Sequence, residues 1–240
     1  NTYFESIFNL FNGAGYTTNS FHDYYDWYYD RTTIHENMGS GAFYDAEDLG
    51  IDFSYQYGVW PSDEELMEKY LGVIDSLDSD EPFMSFLTTV TSHQPYGSSS
   101  EYGDMYMDLF PSDYPDDLKR YMSKLKVVDN AIGILLDGLE ERGILDDTVI
   151  VLFGDHYPYA IDTDTLNLEM PYDAGSDANA DQVPLIIYNS EIEPKEFDSY
   201  TSYVDLVPTI ANLFNLSFDS RLYMGSDVLS DDVQDLVIFM

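Results

Sequence analysis

The chain has 240 residues, 44% hydrophobic and 23% charged, a composition that can bury a core and is unlike that of a disordered segment. Its 46 Asp and Glu against 9 Lys and Arg leave a formal charge of -37, which repels phosphate backbones and excludes nucleic-acid binding through a basic patch. With no cysteine there can be no disulfide, thiolate metal site or cysteine nucleophile, and no apolar run approaches the roughly 18 residues that span a bilayer.

In chain order, Phe4, Ile7, Phe8 and Phe11 recur at helical intervals and stop at Asn12-Gly13 and Gly15. "YTTNSFH" then reads as a short strand ending at His22, and "YYDWYYDRTTIHENMG" as an aromatic and acidic stretch, helical in its later part and closed by Gly39 and Gly41. Ser62 and Glu65 form a capping-box pattern ahead of Leu66, Tyr70, Val73 and Ile74, which predicts a helix over 62–77. "PFMSFLTTVTSH", residues 82–93, has the β-branched and aromatic content of a strand buried on both faces, and ends at His93.

From Leu118 to Leu139 the residues Leu118, Tyr121, Leu125, Val128, Ile132, Leu135, Leu136 and Leu139 follow a 3.6-residue period, with Gly143 as the stop. A strand follows at 148–153, then a loop rich in Gly, Asp and Ser to about residue 182, then the buried strand "VPLIIY". A helix through "YVDLVPTIANLFNL", in which Pro208 is a weak point, and the apolar "LVIFM" complete the chain. Apolar strands alternating with amphipathic helices predict an α/β fold: a mostly parallel central sheet with helices on both faces.

In such a sheet the carboxyl ends of the strands share one rim, where ligands bind. His22, His93 and Asp155-His156 each follow a predicted strand, so three segments deliver polar groups to that rim. Asp and neutral His suit Mn²⁺, Zn²⁺ or Mg²⁺, and an ion would supply the positive charge this acidic chain lacks. Arg31 adds a bidentate clamp for an oxyanion. Plainer readings stand beside these: Asp155-His156 as a helix N-cap and a loop histidine, His93 as a strand end, His22 and Arg31 as members of structural ion pairs. His35 is assigned a structural role. The "YYDWYYD" cluster reads as a carbohydrate or lipid platform or as packing, and the Asp run at 173–181 as a solvated loop rather than a calcium loop.

The segments "GAGYTTNSFHDYYDWYYDR", "MGSGAFYD", "PFMSFLTTVTSHQPY", "YMSKLKVVDNAIGILLDGLEERGILDDTVIVLFGDH", "VPLIIY", "YVDLVPTIANLFNL" and "YMGSDVL", in this order and spacing, resemble the extracellular catalytic domain of the lipoteichoic acid synthases. These are phosphoglycerol transferases of the sulfatase and alkaline phosphatase superfamily. The resemblance implies that Asp155 and His156 are ligands of a catalytic Mn²⁺ or Mg²⁺, and that His22, Arg31 and His93 hold the phosphoglycerol group or its leaving group, with His22 and His93 in catalytic roles. Where the family usually carries a tryptophan, two residues before the arginine, this chain has Tyr29.

The family places a metal-binding glutamate and a nucleophilic threonine on segments preceding the helix that opens this chain. Residues 1–240 are therefore expected to be a single sulfatase-like domain without its N-terminal nucleophile segment and its extreme C-terminus, inactive alone. The complete protein is expected on the outer face of a bacterial cytoplasmic membrane, held by an N-terminal anchor or secreted after cleavage. There a metal-activated threonine would attack phosphatidylglycerol, release diacylglycerol and pass glycerol phosphate to a glycolipid or polyglycerol phosphate acceptor. Two alternatives remain: another enzyme of the superfamily, a sulfatase or a phosphoethanolamine transferase, or an inactive fragment that only binds glycerol phosphate polymers.

Overall fold

The β-branched and aromatic run Thr17–His22 forms β1, the central strand of a parallel three-stranded sheet in the computed structural model, which describes residues 3–53, 56, 58–77, 81–175, 182–197 and 199–230. β2 (Ala42–Tyr44) pairs on one side, with Asn19 opposite Ala42, and β3 (Phe83–Thr88) on the other, in register from Thr17 opposite Phe83 to His22 opposite Thr88. Five of the six β1 residues are buried, because both of its edges and both of its faces are covered.

Six helices bracket these strands: α1 (Ile7–Gly13), α2 (Arg31–Met38), α3 (Ala46–Leu49), α4 (Asp63–Ile74), α5 (Glu101–Met105) and α6 (Asp116–Glu141). The pleat sends Phe21, Phe83 and Leu87 to one face, where they join Leu66, Tyr70 and Leu71 of α4 and Ala131, Leu135 and Leu139 of α6 in the main core. Phe86 points the other way and meets Phe8 of α1 and His35 of α2, while Met84 packs with Leu10 and Phe11 of α1 and Ala211 of the late helix α8 (Leu206–Leu213). The α/β architecture with a parallel sheet and helices on both faces, expected from the sequence, is present.

Beyond α6 the chain forms β4 (Ile150–Phe153), the short helix α7 (Thr163–Leu166) and β5 (Leu185–Tyr188). β4 and β5 run antiparallel in a sheet of their own, Ile150 opposite Tyr188 and Phe153 opposite Leu185. The segment joining them holds only the four-residue α7 among its described residues, too short for the helical crossover a parallel pair requires. The expectation of buried strands here is corrected as well: Phe153, Ile186 and Tyr188 are exposed.

Several boundaries also differ from the sequence reading. β3 is half-buried along its whole length and ends at Thr88, five residues short of His93. Ser62 does cap α4, accepting from the Glu64 N–H at 3.2 Å rather than forming the expected box with Glu65. On α6 the buried face is Leu118, Ser123, Lys124, Val127, Ala131, Leu135, Gly138 and Leu139; Leu125 is exposed, and Tyr121, Val128, Ile132 and Leu136 are half-buried. The stops at Gly39 and Gly143 hold, with φ of 94° and 68°, a conformation that a side chain would strain. Pro208 falls in the first turn of α8, where its missing N–H would have no intrahelical partner. "LVIFM" and residues 176–181 of the acidic loop lie outside the described residues. Among the described residues no helix is long and apolar enough to cross a membrane.

Candidate active site

His22 is the last residue of β1 and is 1% exposed. Its Nδ1 lies 2.9 Å from the Thr88 carbonyl oxygen across the β1–β3 register. A carbonyl can only accept, so Nδ1 carries the proton and donates, leaving the Nε2 lone pair free. That Nε2 is buried and has no hydrogen-bond partner. Burial first, and the nearby Arg31 charge second, lower the His22 pKa to about 4, so the ring is neutral at physiological pH.

The same device recurs twice. His93 Nδ1 lies 3.0 Å from the Gln94 carbonyl oxygen, and His156 Nδ1 lies 2.8 Å from that of Tyr157. Each ring therefore donates through Nδ1 to the backbone and keeps Nε2 for something else, the arrangement by which proteins orient imidazoles for ligation and proton transfer. The His93 and His156 ring centroids are 6.3 Å apart, nearly perpendicular. A run of rings continues from His93 to Trp60 at 4.9 Å, from Trp60 to Tyr24 at 5.4 Å and from Tyr24 to His22 at 6.2 Å.

Arg31 opens α2 after a left-handed turn at Tyr29 and Asp30, with φ of 58° and 52°. Burial pulls its pKa down, while the negative charge of Asp155, followed by Tyr28, Tyr29 and Asp23, pulls it up. The guanidinium thus lies within electrostatic reach of both His22 and Asp155, and its Nε is buried without a hydrogen bond. Of the five residues singled out from the sequence, His93 is in ring contact with His156, His156 is beside Asp155, and Arg31 is coupled by charge to Asp155 and His22. Asp155 sits in a bend with no helix starting there, so the N-cap alternative does not apply.

Asp155 Oδ1 and His156 Nε2 stand 3.7 Å apart. Metal–ligand bonds of ~2.1 Å place two donors on one cation at about this spacing. The pair fits two positions of a coordination shell; among the described residues no group of three or more His, Cys, Asp or Glu is close enough to hold an ion.

Sequence reasoning missed the residues that hold the site in place. Lys124 of α6, 1% exposed, donates from Nζ to the carbonyl oxygens of His93 at 2.7 Å and Pro95 at 3.4 Å. Burial lowers its pKa to about 8. The spacing of apolar residues along α6 gave no sign that a lysine would lie on the buried face. Trp60 and the fully buried Asp23 and Asp63 had no sequence signal either. His35, assigned a structural role, is buried among Phe8, Phe43 and Phe86. In the tyrosine-rich cluster Tyr24 is buried, Tyr25 and Tyr28 half-buried, and Trp27 and Tyr29 exposed.

Comparison with known proteins bears on what this geometry is for. Lipoteichoic acid synthase 2 of Bacillus subtilis is 25% identical over 98% of this chain and 36% of its own length. The lipoteichoic acid synthase of Staphylococcus saprophyticus is 27% identical over 94% of this chain and 34% of its own. The crystal structure of the lipoteichoic acid synthase LtaP from Listeria monocytogenes superposes with a TM-score of 0.75 and 25% identity, covering 93% of this chain and 56% of that one. The chain thus spans about a third of the length of these curated relatives. A family model described as Sulfatase matches residues 1–216, nearly the whole of the fold described above. The chain belongs to the sulfatase family.

Proposed function

We propose that this chain carries the substrate-facing half of a metal-dependent phosphoglycerol transferase of the lipoteichoic acid synthase type. The whole protein would move glycerol phosphate from phosphatidylglycerol to a glycolipid or polyglycerol phosphate acceptor on the outer face of a bacterial cytoplasmic membrane. The observation that carries the reading is the pair of imidazoles His93 and His156, with centroids 6.3 Å apart and Asp155 Oδ1 3.7 Å from His156 Nε2, with Arg31 coupled by charge to Asp155 and His22.

Asp155 and His156 would hold a divalent cation, Mn²⁺ or Mg²⁺, as two of its ligands. Once bound, it would lower the charge on the phosphoryl oxygens and on an oxygen nucleophile. Arg31 binds a phosphate oxyanion, because a planar guanidinium offers paired donors at the spacing of two phosphoryl oxygens. Neutral His22 accepts a hydrogen bond, or a proton, at Nε2 from a glycerol or acceptor hydroxyl. His93, held from opposite ends by Lys124 and by its own Nδ1 bond, presents its ring beside His156. A local cluster of this kind can take an anionic substrate despite a net charge of -37, since the attraction acts at contact distance while the global field is screened within about 8 Å at physiological salt.

The test is diacylglycerol release from phosphatidylglycerol in the presence of Mn²⁺ by the protein that contains this chain. We expect release, and its loss in His156→Ala and Arg31→Ala. Turnover of sulfate esters or of phosphatidylethanolamine, with none of phosphatidylglycerol, would replace this reading with that of another enzyme of the superfamily.

A further inference from the structure

Asp23 and Asp63 are both 0% exposed and belong to different elements: Asp23 follows His22 at the end of β1, and Asp63 opens α4. One side of the Asp63 carboxylate is fully engaged. Its Oδ1 accepts the backbone N–H of Val90 at 2.8 Å and of Thr91 at 3.1 Å. Its own N–H donates to Thr91 Oγ1 at 2.9 Å, and that hydroxyl donates to the Pro61 carbonyl at 2.9 Å. Asp63 therefore grips the turn between β3 and His93, and these bonds explain why the backbone leaves the β3 ladder after Thr88.

The other side is what calls for explanation. Asp63 Oδ2 and both Asp23 oxygens are buried and accept no hydrogen bond from an N–H or O–H of another residue. Yet the two carboxyls are close enough to perturb each other: the Asp23 charge raises the Asp63 pKa, and Asp63 lowers that of Asp23. Two ionised carboxylates cannot be hydrogen-bonded, and burying both charges side by side without a donor is prohibitive. A single proton between the two carboxyls pairs two of these three orphaned oxygens and removes one of the two buried charges.

We propose that Asp23 and Asp63 share one proton, donated from Asp63 Oδ2 to the Asp23 carboxylate, and that this bond couples the strand end bearing His22 to the turn bearing His93. Both are positioning residues: neither is placed against substrate, and each acts through the histidine it is tied to. The electrostatics agree. Burial raises the Asp63 pKa well above the carboxylate range and the Asp23 charge raises it further, while burial lifts Asp23 to about 7. Of the charged neighbours, Arg31 lowers Asp23 and Glu65 raises it; His22 Nδ1 is 3.5 Å from Asp23 Oδ1, and Asp63 and Asp45 in turn act on His22.

The inference rests on the proposed function only for what the two histidines contact; the shared proton stands without it. The test uses the full chain and two readouts. Infrared spectroscopy at neutral pH should show the carbonyl band of a protonated, buried carboxyl, lost in Asp63→Asn. In that variant the amide oxygen still accepts from Val90 and Thr91 and the amide N–H still donates to Asp23, so the link persists and no longer titrates. NMR of the imidazole rings should show the His22 and His93 signals shifting together as the wild-type pair loses its proton on raising the pH, and this shared shift should vanish in Asp63→Asn. Should Asp63→Asn fail to fold, Asp23→Asn serves, because its amide donates to an ionised Asp63. A spectrum with no protonated carboxyl at neutral pH, or histidine signals that titrate alike in wild type and variant, overturns the proposal. If the shared shift is present but neither ring responds to added sn-glycerol phosphate with Mn²⁺, the pair stands and the proposed function fails.

Discussion

His22, His93 and His156 each spend Nδ1 on a backbone carbonyl, and that choice decides what the site can do. The proposed ligation of a divalent cation by Asp155 and His156 predicts that removing either ligand costs at least about tenfold in affinity, so His156→Ala and Asp155→Asn should weaken Mn²⁺ binding by that factor in a calorimetric titration. Arg31→Lys keeps the charge and loses the paired geometry; sn-glycerol phosphate binding should fall by about tenfold, measured the same way. His35 offers a cleaner test of linkage because its ring packs among Phe8, Phe43 and Phe86. Burial lowers its pKa from 6.5 to about 4, and the Arg31 and His22 charges act in the same direction. The unfolded chain therefore binds a proton between about pH 6.5 and 4 that the folded chain refuses. The resulting stability is present above pH 6.5 and lost as pH falls towards 4, by up to about 3 kcal/mol. His35→Leu should remove that share of acid destabilisation, visible as a flatter profile of melting temperature against pH below 6.5.

At the scale of elements, α4 and α6 meet so closely that Gly138 has no room for a side chain: a Cβ there would lie 2.3 Å from Leu71 Cδ1. Gly138→Val should cost about 1–3 kcal/mol by overpacking, whereas Gly133→Ala in the same helix, with nothing within 4 Å of its Cβ position, should gain about 0.5–1 kcal/mol; denaturant midpoints separate the two. The period of α6 was legible in the sequence, its buried face was not. Tyr121 and Leu125 looked like core by spacing, but the surface that α6 presents to α4 and to the His93 turn selects Lys124, Val127, Ala131 and Gly138 instead. The strand predicted through His93 stops at Thr88 for a related reason: Val90 and Thr91 have strand composition, and a buried carboxylate from another element captures their N–H groups.

Over the whole molecule the charge of -37 opposes compaction, and added salt should relieve it. Raising the ionic strength from about 0.01 M to 0.15 M shortens the screening length from about 30 Å to about 8 Å, so the melting temperature should rise; a salt-independent melt would mean the acidic surface is spread too thinly to matter. The sequence by itself determined the kind of fold, because apolar strands and amphipathic helices alternate along it, and it singled out three histidines, an aspartate and an arginine as candidates for the site. Only the tertiary structure decided how those residues are held. That the imidazoles donate through Nδ1, that β4 and β5 run antiparallel, that a lysine and two aspartates lie buried behind the site, all depend on contacts between residues tens of positions apart, such as Asp63 with Thr91 and Lys124 with His93. Local periodicity reports which face of an element avoids water; it carries no record of which distant polar group arrives to satisfy the backbone there.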